Sequence, residues 1–275
     1  MNSVSRAAPI DPAGRGAGLA VAALFAVAVA IGAIAGLDKV TTIALIACAA
    51  MFVGALCGYR EAGSRMFWQA LDGVAGGAMI AAACVLLLPE AVELHALNAG
   101  IGMAFGLLCG LALHRACRNR AQAQQQYGAL GESTLVALTV HSAGAGVVIG
   151  TLYTRMPDLG LWLGTAIVAH KLPAGYAVAR RLHARGGALA SVALPACAVG
   201  VVAIITALAS AALPPSVPVG AICQGLATGL FLHVGLECVA LESPGAADLD
   251  TPGWRVWLPV GIGMALMLAL RIYGS

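Results

Sequence analysis

Charge is what this sequence has least of. Only 10% of its 275 residues are Asp, Glu, Lys or Arg, against roughly 25% in an ordinary soluble domain. With 60% hydrophobic residues and a strongly positive mean hydropathy, that deficit excludes a water-soluble globular fold, and no nucleic-acid partner is expected. Cysteine pairs at metal or redox spacing are also missing. Cys48, Cys57, Cys84, Cys109, Cys117, Cys197, Cys223 and Cys238 all fall within or at the ends of apolar runs, and none forms a CxxC. Neither a zinc ribbon nor a disulfide framework is therefore expected, and the thiols read as small core residues. His-Glu-x-x-His and Gly-x-Ser-x-Gly are absent, which removes two common hydrolase arrangements. Ser142 directly follows His141, and adjacent helix positions do not face each other, so no Ser-His pair is expected there. The chain is not expected to be an enzyme, and no cofactor is expected.

What is there is a series of apolar runs. A bilayer crossing needs roughly 20 such residues, and nine runs qualify, at about 17–36, 40–59, 68–94, 99–117, 131–154, 160–182, 188–212, 218–242 and 254–273. The first has no small-residue cleavage site after it and reads as a span, not a secretory signal. The expected fold is an all-α integral membrane protein with nine transmembrane helices, a single polytopic domain over residues 1–275 whose immediate partner is the lipid bilayer. Basic residues set the orientation. With the N-terminus cytoplasmic, the inner segments hold Arg6, Arg15, Arg60, Arg65, Arg115, Arg118, Arg120, Arg180, Arg181, Arg185 and Arg255. The outer segments hold only Lys39, Arg155 and Arg271, and the remaining basic residue, Lys171, lies inside a run. The C-terminus is then outside, in a bacterial-type inner (plasma) membrane. Residues 115–133, basic and then Gln-rich, read as a cytoplasmic loop, and ESPGAADLDTPGW (residues 242–254) reads as a short acidic linker.

Ionisable groups within spans cost roughly 2.5–3.5 kcal/mol each at a helix centre, so they usually face a partner or a cavity. His141 and His170 each lie about ten residues into their runs, within HSAGAG and HKLPAG, both of the form His-x-x-x-Ala-Gly. Consecutive helices run antiparallel, so the two imidazoles are expected at one depth, as in the inverted pairs that build transporter sites. Imidazole is a common ligand for borderline metals. Pro173 has no N–H for the carbonyl of Ala169, which predicts a kink and freed carbonyls near His170. His233 and Glu237 are four apart and share a helix face, with Glu242 near the inner end of the same run. Glu90, Glu93 and His95 cluster at the outer end of the third run, as a candidate ion entrance.

These residues together resemble the ZIP (ZRT/IRT-like) family of divalent-metal transporters. HSAGAGVVIG and HKLPAG are similar to its two metal helices, GGAMIAAACVLLLPEA (residues 76–91) to its Gly-rich helix, and TGLFLHVGLECVALE (residues 228–242) to its penultimate helix. The resemblance implies an eight-helix core with an inverted repeat, here preceded by one N-terminal helix. It also implies a homodimer and uptake of zinc or a related divalent ion, as substrate, towards the cytoplasm by an elevator-like motion. His141 and His170 would be ligands, with Ser142 or Glu237 completing the set. Lys171 would stand where some members place an ammonium in lieu of a second ion, and His233 and Glu242 would lie on the entrance or exit path. The family's metal-binding glutamates are replaced by Ala145 and Ala174. That loss keeps a second expectation open, a transporter fold that has given up metal transport for regulation or for a different solute.

Overall fold

A computed structural model describes residues 12–126, 130–155, 161–183, 188–212, 216–242 and 254–273. Among them the chain forms helices and no strand: α1 (Pro12–Ile34), α2 (Asp38–Tyr59), α3 (Arg65–Ala82), α4 (Leu88–Gln126), α5 (Leu130–Arg155), α6 (Leu161–His183), α7 (Ala193–Ala212), α8 (Val217–Glu242) and α9 (Trp254–Tyr273). Five segments among the described residues are long and apolar enough to cross a membrane: Gly16–Ile34, Asp38–Tyr59, Met66–Ala116, Leu189–Ala212 and Val217–Val239. The outward faces agree, since Leu19, Ile34, Leu97, Phe105, Leu108, Trp257 and Ile272 are all exposed. An apolar surface of that extent belongs against acyl chains, not water.

The runs expected at 68–94 and 99–117 lie within one of those segments, Met66–Ala116, which is interrupted twice. Pro89 has no N–H to offer the carbonyl of Val85, and a π-helical turn at Ala83–Leu87 precedes it, the usual accommodation of a broken ladder. At His95 the backbone is extended (φ −168°, ψ 103°). The imidazole there accepts a hydrogen bond from the Asn98 N–H through Nδ1, at 3.3 Å, capping the helix that follows. One expectation needs correction. Residues 115–133 are mostly helical, because α4 continues to Gln126 and α5 starts at Leu130; Arg, Ala and Gln all favour helix. Pro173 lies inside α6, which is helical on both sides of it. The linker expected at 242–254 lies largely outside the described residues.

Helices associate in a bilayer without a hydrophobic drive, so small residues that admit a second backbone carry the packing. That is how these helices meet. Gly54 of α2 lies on the carbonyl of Leu172 in α6, and Gly175 of α6 lies on the carbonyl of Met51 in α2. Gly102 and Gly106 of α4 meet Ile222 and Leu226 of α8, while Gly225 and Gly229 of α8 meet Ala99 and Met103 of α4. The α3/α9 and α5/α7 pairs repeat the pattern through Gly77 and Gly263, and through Gly146 and Gly150. The main packing partners are α4 with α8, α5 with α7, α2 with α6 and α3 with α9, followed by α3 with α8, α2 with α7, α3 with α6, α5 with α8 and α4 with α5. Exchanging α2 with α7, α3 with α8, α4 with α9 and α5 with α6 maps all of these pairs onto one another except α4 with α5, which has no counterpart between α9 and α6. Helix α1 stands outside the exchange, packed on α7.

A side chain at a seam glycine must push two backbones apart. Gly225→Val is expected to lower stability by at least about 1–3 kcal/mol. Gly100→Ala, on α4 with nothing near its Cα, should gain up to about 1 kcal/mol of helix propensity. Thermal unfolding in detergent measures both; equal effects would rule out the seam.

Candidate functional site

Helices α3, α5, α6 and α8 converge on HKLPAG. Gly54 and Gly175 clamp α6 against α2 on both sides of Pro173, so the turn carrying His170 and Lys171 has a fixed height and rotation. Consecutive residues on a helix point about 100° apart, and these two serve different neighbours. His170 is 2% exposed and faces a cavity of about 10 Å³, which it lines with Met79 of α3, Ala145 and Val148 of α5, and Phe231 and Val234 of α8. That volume suits about one water molecule. Lys171 is fully buried, and its ammonium donates to Ser142 Oγ on α5, at 3.2 Å. Cys238 of α8 lies close enough to Lys171 and to the Asp72 carboxyl of α3 to interact with both.

The sequence-stated residues therefore separate into groups. His170 lines the cavity opposite Ala145, the position where the ZIP motif has glutamate. Ala174, a turn beyond His170, is half-buried. Ser142 accepts the lysine's hydrogen bond and is not among the residues that line the cavity. Glu237 does not line the cavity and is not shown bonded to Lys171; its carboxylate bonds His114 Nδ1 of α4 and lies 3.3 Å from His233 Nε2 on its own helix. Glu90 and Glu93 are exposed beside the bend at His95, whose ring is used as a cap. The side chains of His141 and Glu242 lie outside the described residues.

Sequence reasoning missed His114. It stands at the end of an apolar run, 123 residues from Glu237, and only the α4/α8 seam brings the two together. The imidazole and carboxylate oxygen atoms of His114, His233 and Glu237 all lie within 4.8 Å of one another. The pairing of His233 with Glu237, by contrast, could be read from their spacing.

No protein-family model matches the chain, and no curated protein matches it. Fold and site together define a helical, membrane-type protein with a buried imidazole and a buried ammonium at the crossing of its central helices.

If the Ser142 hydroxyl holds the Lys171 ammonium, the two partners should respond unequally. Ser142→Ala strips a buried charge of its acceptor and should cost about 1–3 kcal/mol. Lys171→Met removes the charge while keeping most of the volume, and should be neutral or stabilising by about 1–4 kcal/mol. Thermal unfolding of the two variants gives the comparison, and a larger loss in Lys171→Met would overturn the assignment.

Proposed function

We propose that the chain is a membrane transporter of divalent cations, of the ZIP type, carrying a zinc-like ion towards the cytoplasm past His170 and His141. One observation carries the reading: the exchange of helix partners maps α5 onto α6, the helices that hold the two His-x-x-x-Ala-Gly motifs. An internal repeat arranged around a central pair is how secondary transporters build a site that opens alternately to each side. An eight-helix core with one added N-terminal helix, as the resemblance implies, is part of this reading, and the place of α1 outside the exchange supports it. Nine spans, an inner N-terminus and a homodimer belong to the same proposal.

Zinc takes about four N, O or S ligands. Among the described side chains, His170 is the one such ligand in the cavity wall, and water or a backbone carbonyl next to Pro173 would have to complete the shell. The apolar remainder of that wall, Met79, Ala145, Val148, Phe231 and Val234, favours the second reading, a transporter fold that has turned to regulation or to another solute.

Zinc uptake into proteoliposomes separates the two. On the first reading the parent takes up zinc, and His141→Ala with His170→Ala reduces uptake at least about tenfold, in keeping with loss of two direct ligands. Uptake unchanged in the double variant removes these histidines from the path, and a parent that moves no zinc leaves the second reading.

A further inference from the structure

We propose that His114, His233 and Glu237 form a binding site for a divalent transition-metal ion, between α4 and α8 and separate from the cavity at His170. Two imidazole nitrogens and a carboxylate oxygen converge there, with every pair of ligand atoms within 4.8 Å. Two atoms that each lie about 2.0–2.1 Å from a tetrahedral zinc are about 3.4 Å apart, and His233 Nε2 and Glu237 Oε1 are separated by 3.3 Å. A shared ion would also draw His114 Nδ1 back from its close contact with the carboxylate. His114 is about half exposed, 46% for its side chain, and has room for that movement, whereas His233 and Glu237 are largely enclosed, at 9% and 17%.

The fold prepares the site. His233 and Glu237 share a face of α8 because they are four apart. The ring of His233 packs on Gly110 of α4, where any side chain would collide with it, and His114 is four residues further along the same helix. The glycine seam that joins α4 to α8 thus also sets the ligand spacing.

The donor set selects the ion. Nitrogen with one carboxylate suits zinc, cobalt, nickel, copper or ferrous iron, while magnesium and calcium prefer all-oxygen shells. Three protein ligands leave a position for water on the exposed His114 side, which marks an exchangeable site and not a closed structural one.

Cobalt(II) binding to the purified full chain in detergent tests the site, through the visible absorption of the tetrahedral ion and the bound metal per chain. The parent is expected to bind cobalt, with zinc displacing it. His114→Ala, at an exposed position, and Glu237→Gln, which keeps the shape, should each weaken affinity about tenfold or more, while His170→Ala leaves the spectrum intact. A parent without the cobalt spectrum, or a spectrum that survives His114→Ala and Glu237→Gln while following His170→Ala, would overturn the proposal. The site does not depend on the transport reading. A chain that binds cobalt here and moves no zinc keeps the site and loses that reading, and one that moves zinc without this spectrum does the reverse.

Discussion

Everything in this molecule depends on how closely its helix backbones approach. Leu, Val and Ala side chains gain little by leaving lipid for another helix, so association rests on dispersion and on the number of atoms in contact. Glycine brings a neighbouring carbonyl onto the bare Cα, and four helix pairs use it in the same way. Such a contact is intolerant of rotation. A helix held at two glycines one or two turns apart cannot turn about its axis without driving a Cβ into the opposite backbone. The α2/α6 seam thereby fixes which way His170 and Lys171 point, and the α4/α8 seam fixes where His233 stands relative to His114.

That constraint explains what the sequence could and could not convey. Apolar length and low charge reveal a helical membrane protein, and glycine-rich stretches such as residues 76–83 show where helices approach. The π turn before Pro89 follows from one missing N–H. The bend at His95 falls between the runs expected at 68–94 and 99–117, although neither Gly nor Pro marks it. The helical course of residues 115–126 was legible from propensity, but a cluster of charges reads more readily as a loop. Pro173 removes one ladder bond inside α6, which continues on both sides of it.

Site residues divide on the same lines. Spacing within one helix is a local property, so the shared face of His233 and Glu237 can be read directly. Partnerships between helices cannot, because they depend on which seams form. Glu237 looks like the natural counter-ion of Lys171 in a chain with few buried carboxylates, yet α8 presents it to α4, and the ammonium finds a hydroxyl on α5 instead. His114, outside any motif, acquires chemical meaning only from Gly110 and the helix opposite.

The pairing of Lys171 with Ser142 bears on what the central crossing can hold. A hydroxyl accepting from an ammonium has one lone pair committed to it, and a cation placed on that oxygen would meet a positive charge at hydrogen-bond range. Their repulsion is largest where water is excluded. His170, about 100° around the helix, faces instead the cavity walled by hydrocarbon and the methyl of Ala145. An ion entering that cavity would meet the imidazole. Glutamate at position 145 would alter that balance directly, because its carboxylate would enter the wall that His170 faces. The alanine, more than the lysine, makes this crossing a poor resting place for a bare cation.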